Sequence, residues 1–188
     1  MNKEDLRYRK SRDAIIEAGI RVLLSNPAAG MAEIALGAGV GRATLYRHFA
    51  TRDELVRALT LLCLEETDAL LNPLRETGTT GLPAIMASID VLVPMADRFC
   101  FLMSLAAVGA GDREVNHAYQ RQLDQLAELI VAGKEAGEIR QDLATEWIVA
   151  SYDALLNAAW HLVQSGQMSS EDATLYFARS FLASVTTR

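Results

Sequence analysis

A short stretch of the chain concentrates side chains that can bind nucleic acid. It contains Arg42, Ala43, Thr44, Tyr46, Arg47, His48 and Arg52. An arginine can donate two hydrogen bonds to the edge of a guanine, and hydroxyl groups can bind phosphate oxygens or base edges. Histidine and arginine can also hold the phosphate backbone. This set of residues therefore predicts contact with double-stranded DNA.

The elements around these residues fit that chemistry. Apolar spacing predicts a helix over 31–38, a turn at Gly39, Val40 and Gly41, and a second helix over 42–49. Leu45 and Phe49 are four residues apart, so they share one face of the second helix, which we expect to be buried. Two short helices joined by a glycine-containing turn are typical of a helix-turn-helix.

Other roles are open for several of these residues. Tyr46 can be a packed aromatic residue with an exposed hydroxyl, His48 an ordinary surface histidine, and Arg47 a partner in surface salt bridges. The basic residues before Arg12 can follow the minor groove or the phosphates, or belong to a solvated terminus. Methionine is a poor residue to start a helix, so the start of the helix at Met31 is open.

The charge of the chain is unevenly distributed. Residues 1–60 carry ten basic and seven acidic side chains, a net charge of +3, so the overall charge of −6 leaves −9 on the remaining residues. A basic head can approach phosphates, whereas an acidic body is repelled by them. The alternative is an ordinary fluctuation of charge along a chain.

The sequence contains no pattern that predicts catalysis, a cofactor or a metal. Its three histidines and the cysteines Cys63 and Cys100 match no metal or redox spacing. The glycines at 37, 39 and 41 lack the spacing of a nucleotide-binding loop. We therefore expect no enzyme, no catalytic residue, no metal and no cofactor. The sequence also shows no export signal and no apolar stretch long enough to span a membrane, which predicts a cytoplasmic protein.

Helical spacing extends through nearly the whole sequence and predicts an all-α fold. Residues 1–50 are expected to form an N-terminal three-helix domain and residues 51–188 a larger helical domain. A capping box of Thr51 and Glu54 predicts the start of the long fourth helix, and Asp142 is expected to cap the eighth. Nine helices are predicted, at about 6–24, 31–38, 42–49, 51–71, 82–93, 94–108, 112–137, 143–165 and 170–186.

The sequence resembles the TetR family, the tetracycline-repressor-like transcriptional regulators. The residues that carry the resemblance are Ile34-Ala35, Gly39-Val40, the run from Thr44 to Phe49, and Asp53-Glu54-Leu55. The chain departs from the family pattern at Met31, Ala32 and Gly41. The resemblance implies a repressor that binds a palindromic operator as a homodimer and is released by a small-molecule effector. The long fourth helix would then transmit the effect of the ligand.

The same resemblance places the effector and the partner subunit in residues 51–188. The candidate effector-pocket residues are Met86, Phe99, Met103, Tyr119, Trp147, Asn157 and Trp160. The candidate dimer-interface residues are Ala150, Ala154, Ala158, Tyr176, Phe177 and Phe181. Asp153 or Glu66, if buried beside aromatic side chains, would favour a cationic ligand. The interface candidates can instead pack only within their own subunit. For the chain as a whole, the alternative is a helical protein-interaction module without DNA binding.

Overall fold

The structure, a computed structural model, describes residues 3–96 and 112–186, with side chains from residue 5 onward. These residues form eight α-helices and one short 3-10 helix at Val93–Met95, and they contain no strand. The helices are α1 (Lys3–Ser25), α2 (Met31–Gly37), α3 (Arg42–His48), α4 (Arg52–Glu76), α5 (Gly81–Leu92), α6 (Arg113–Glu135), α7 (Thr145–Gln164) and α8 (Ser170–Val185). The all-α fold with an N-terminal helix-turn-helix is therefore confirmed.

The described residues divide into two compact units. The first contains the chain up to Cys63 together with residues 112–116, and the second contains 64–96 and 117–186. The division falls inside α4, so this helix supplies residues to both units.

The first unit is built around one apolar core. Leu23, Ile34, Leu45, Leu55 and Leu59 have no exposed surface, and they come from α1, α2, α3 and α4. Burial of such side chains is worth about 1.5–3 kcal/mol each, so this core fixes α3 against its neighbours.

The second unit has its own core, in which aromatic rings and two polar contacts fix α7. Tyr152 lies edge-on to Phe177 and Phe181, with ring centroids 5.0 and 5.5 Å apart. Its hydroxyl is 2.7 Å from the Ser88 hydroxyl, and the Trp160 indole donates to the Leu92 carbonyl at 2.7 Å. The buried polar groups of these aromatic residues are thus satisfied.

Several helix ends differ from the sequence prediction. Helix α4 continues five residues past Leu71 and includes Pro73 in its last turn, so only three helical residues follow the proline. The residue that caps the start of α7 is Ala144 rather than Asp142, because the Asp142 carboxylate is held by Arg140 at 2.6 Å. The helix predicted at 94–108 begins as the 3-10 helix, and the rest of it lies outside the described residues.

Two helix starts follow the prediction more closely. Met31 is the first residue of α2, and the backbone N–H of Gly30 donates to Glu33 at 2.9 Å, which stabilises this end. The Thr51 hydroxyl accepts from the backbone of Glu54 at 3.1 Å, as a capping box requires, but the Glu54 carboxylate binds the N–H of Ala50 rather than that of Thr51.

Candidate DNA-binding face and effector region

The turn between α2 and α3 is a left-handed glycine turn. Gly39 has φ +64°, a conformation that residues with a Cβ adopt at a cost. The N–H of Val40 donates to the Ala35 carbonyl at 3.0 Å, and the N–H of Gly39 donates to the Leu36 carbonyl at 3.1 Å. This pair of hydrogen bonds is a Schellman motif, which ends α2 and sets the direction in which α3 begins.

One side of α3 is anchored in the first unit. Leu45 has no exposed surface and Phe49, directly after the helix, is 3% exposed, so their predicted burial is confirmed. The Arg12 guanidinium of α1 lies 5.7 Å from the centre of the Phe49 ring, at cation–π distance. The opposite side of α3 is therefore the side that faces solvent.

The solvent-facing side of α3 carries Arg42, Ala43, Tyr46 and Arg47, all exposed. Tyr46 is 52% exposed. Arg47 donates to the hydroxyl of Thr44, which is half-buried, at 3.1 Å. Within the described part of the chain, Arg42 and Tyr46 make no side-chain hydrogen bond or ion pair. Their donor groups are therefore available to an external partner.

His48 is bound to α1 rather than exposed. Its Nε2 is 2.7 Å from the Ser11 hydroxyl, and its ring lies 4.2 Å from that of Tyr8. The Ser11 hydroxyl donates to the Tyr8 carbonyl at 2.9 Å, so its single proton is used and Nε2 of His48 must be the donor in their contact. The other ring nitrogen, Nδ1, is buried and has no hydrogen-bond partner.

The surroundings of His48 disfavour its charged form. Partial burial lowers the pKa of His48 below its usual value, and the positive charges of Arg12 and Arg47 lower it further. A proton on Nδ1 would be a buried donor without an acceptor, which agrees with this direction. His48 is therefore a neutral contact between α3 and α1.

Arg52, the first residue of α4, is also committed within the protein. Its Nε donates to the Ala29 carbonyl at 3.0 Å, and a terminal nitrogen donates to the Pro27 carbonyl. These hydrogen bonds fix the loop before α2 to the start of α4. Of the seven predicted DNA-contacting residues, the structure thus exposes four, half-buries Thr44, and engages His48 and Arg52 in internal contacts.

The basic residues before Arg12 belong to α1 itself, which begins at Lys3 rather than near Leu6. Arg7, Arg9 and Lys10 are exposed. Because Tyr8 packs on His48, the first turns of this helix are attached to the end of α3. Exposed cations on such a helix can bind phosphate oxygens.

The candidate effector-pocket residues do not form one group. Tyr119 and Asn157 both bind the Asp153 carboxylate, Tyr119 through its hydroxyl and Asn157 through its amide nitrogen at 3.3 Å. Trp160 is buried in the core and Met86 is half-buried on α5, whereas Trp147 is 64% exposed. Phe99 and Met103 lie outside the described residues.

Burial affects both ionisable groups around Asp153. It raises the pKa of Asp153 above its usual value, an effect that the hydrogen bonds from Tyr119 and Asn157 partly offset. Burial and the nearby carboxylate raise the pKa of the Tyr119 phenol. The phenol therefore acts as a hydrogen-bond donor at neutral pH.

The dimer-interface candidates fall into two groups. Ala150, Ala154 and Ala158 are exposed on α7, and Tyr176 is 51% exposed on α8. Phe177 and Phe181 are 3% and 0% exposed, because their rings pack on Tyr152 in the core of their own unit. Their assignment to an interface is therefore corrected. Trp147 shares the exposed face of α7 with the three alanines, since all four lie at helical spacing.

Sequence reasoning missed two arrangements. The sequence analysis considered Asp153 without its hydrogen-bonding partners Tyr119 and Asn157. The four-residue spacing from Asp153 to Asn157 does place these two residues on one helix face. It also missed Ser11 as the partner of His48, because a contact between residues 37 positions apart has no local signal.

Comparisons with known proteins agree with this geometry. Residues 15–59 match the family model of bacterial regulatory proteins, tetR family. The HTH-type transcriptional repressor LfrR of Mycolicibacterium smegmatis is 44% identical over 50 residues, which are 27% of this chain and 26% of the repressor. The curated relative is thus matched over about a quarter of its length.

Solved structures are similar over nearly the whole chain. LfrR in complex with proflavine has a TM-score of 0.75 at 23% identity and covers 96% of this chain and 98% of its own. CprB of S. coelicolor A3(2) has a TM-score of 0.81 at 16% identity, with 97% and 91% covered. KstR2 of Mycobacterium tuberculosis has a TM-score of 0.78 at 17% identity, and the match covers 94% of this chain and 95% of KstR2. At these identities the similarity establishes the fold.

None of the helices in the described part of the chain has the length and apolar character that a membrane span requires.

Proposed function

We propose that the chain is a ligand-responsive transcriptional repressor of the TetR family, because residues 15–59 match the family model of bacterial regulatory proteins and 50 residues are 44% identical to the repressor LfrR. It binds a palindromic operator as a homodimer, through residues 1–50, and is released when a small molecule binds within residues 51–188. The observation that carries this proposal is the solvent-facing side of α3, where Arg42 and Tyr46 bind no other described side chain while Leu45 fixes the helix from behind.

The DNA-contacting residues then divide by role. Arg42 reads a base, and Ala43 offers an apolar contact to a thymine methyl group. Tyr46, Thr44 and Arg47 bind phosphates or base edges. His48 and Arg52, which were expected to hold the backbone, act by positioning, since His48 holds α3 against α1 and Arg52 ties the start of α4 to the preceding loop.

Dimer formation follows from the size of the recognition helix. Helix α3 has seven residues and is therefore about 10 Å long, so one copy reads only a few base pairs. Two copies related by a two-fold axis would reach successive major grooves about 34–36 Å apart. We assign the partner contact to the exposed face of α7 and α8 that contains Trp147, Ala150, Ala154, Ala158 and Tyr176. Small residues allow close approach of helices, and the two aromatic residues supply apolar area.

A ligand can release the protein from the operator only if it binds a conformation with low operator affinity more tightly than the conformation that binds the operator. Helix α4 contributes Leu55 and Leu59 to the first unit and Leu64 to the second, which makes it an element that both binding events can influence. By linkage, an effector that weakens operator binding must itself bind more weakly to the operator complex. LfrR, whose structure contains proflavine, supports the expectation that this fold accommodates a small molecule.

The proposal is tested with DNA from the region flanking the gene of this protein. The full chain should bind an inverted repeat there, with the logarithm of affinity falling linearly with the logarithm of salt concentration. A non-palindromic fragment of equal length and base composition is the control. Binding to neither fragment would favour the helical protein-interaction module instead, and equal binding to both would contradict recognition of a palindrome.

A further inference from the structure

Asp153 is a carboxylate of the second unit that has hydrogen-bond donors but no counterion among the described residues. Asp153 on α7 accepts from the Tyr119 hydroxyl and from the Asn157 amide at 3.3 Å. No described residue forms an ion pair with it. Partial burial of a charged carboxylate costs free energy, and neutral hydrogen-bond donors offset only part of that cost.

The neighbouring amide has an unused acceptor. The Oδ1 atom of Asn157 is buried and makes no hydrogen bond. The amide cannot rotate to use this atom elsewhere, since a flipped amide would point Oδ1 at the Asp153 carboxylate and lose the hydrogen bond from Nδ2. Most buried polar atoms in proteins are satisfied, so the orphaned Oδ1 of Asn157, beside a carboxylate with no counterion in the described part of the chain, indicates a missing donor.

The third residue of this group is aromatic. Tyr119 is 37% exposed, so its ring is accessible from solvent while its hydroxyl binds Asp153. A ring face beside a carboxylate favours a positive charge on an apolar body. The group therefore offers negative charge, a neutral acceptor and an aromatic surface together.

We propose that Tyr119, Asp153 and Asn157 form a recognition site for a protonated nitrogen carried by an aromatic or apolar molecule. This inference rests on the proposed function, and it names the chemical class of the effector. Asp153 binds the charged nitrogen, Asn157 Oδ1 accepts a second N–H, and Tyr119 lies against the body of the ligand.

The test compares two probes of one shape. At pH 8, 9-aminoacridine is a cation and acridine is uncharged. Fluorescence titration of the full chain should give at least tenfold tighter binding of the cation. Asp153→Asn keeps the shape of the side chain and removes its charge. It should weaken binding of the cation by about tenfold to hundredfold and leave the affinity for acridine unchanged. Glu146→Gln, an exposed carboxylate on the same helix, is the matched control and should change neither.

Equal affinity for the two probes, or an unchanged affinity of the cation for Asp153→Asn, would overturn the inference. The comparison of the probes on the unmodified chain decides the point even if the variant is unstable. Operator affinity without probe is measured separately on the same samples. A chain that fails to bind the operator refutes the proposed function, while the fluorescence titration still decides whether the cation is recognised.

Discussion

Replacing Arg52 with alanine separates a positioning role from a DNA contact. The variant loses the hydrogen bonds to the Ala29 and Pro27 carbonyls. Hydrogen bonds from a charged donor are worth about 1.5–3 kcal/mol each when buried, and partial exposure of Arg52 reduces this, so we expect a total loss of roughly 1–2 kcal/mol. For a chain of this length that loss lowers the midpoint of thermal unfolding by about 2–8 °C.

The assay is thermal unfolding followed by circular dichroism, without DNA. Arg42→Ala is the matched control, because Arg42 is exposed and lacks a partner among the described residues. It should change stability by less than about 0.5 kcal/mol but weaken discrimination at one base pair by about 1–3 kcal/mol. If Arg52→Ala keeps the unfolding temperature of the unmodified chain and reduces the salt dependence of operator binding by about one unit, Arg52 is a phosphate contact and the reasoning fails.

Three further predictions follow from other contacts. Because the folded pKa of His48 lies below the usual value of 6.5, the unfolded chain takes up the proton first, so stability falls as the pH decreases below about 6.5. Measured by urea unfolding, the unfolding free energy of His48→Gln should depend less on pH between pH 7 and pH 5 than that of the unmodified chain. The same pH dependence in both would contradict the lowered pKa of His48. Phe181→Ala empties a site with no exposed surface beside Tyr152 and should cost about 3–5 kcal/mol of unfolding free energy, whereas a loss under about 1 kcal/mol would mean that this core is loosely packed. Ala154→Glu should convert the dimer to a monomer in sedimentation experiments and Ala136→Glu, exposed outside that face, should not; a dimeric Ala154→Glu would refute the assigned interface.

Local signals account for the parts of the fold that could be predicted. Helical spacing and glycine positions located the helix-turn-helix within one or two residues, because each of these signals acts over a few positions. The prediction ended α4 too early, before Asn72 and Pro73. A proline removes one backbone hydrogen bond from a helix, and here the helix continues for three residues beyond it. It also placed the cap of α7 at Asp142, whose carboxylate binds Arg140 instead.

The candidate sites were less predictable, because exposure depends on distant residues. Helical spacing placed Leu45 inside and Arg42 outside. It could not show that Ser11 binds His48, or that Phe177 and Phe181 pack on Tyr152 rather than on a partner. An aromatic residue on an amphipathic helix can face its own core or a neighbouring subunit, and the sequence pattern is the same in both cases.

The separation of the two sides of α3 has a consequence for how such proteins diverge. The residues that hold the helix in place, Leu45 and Phe49, differ from those that face solvent, Arg42 and Tyr46. After duplication of the gene, a copy can exchange its outward-facing residues one at a time with little loss of stability. New target sequences are therefore reachable through intermediates that all remain folded.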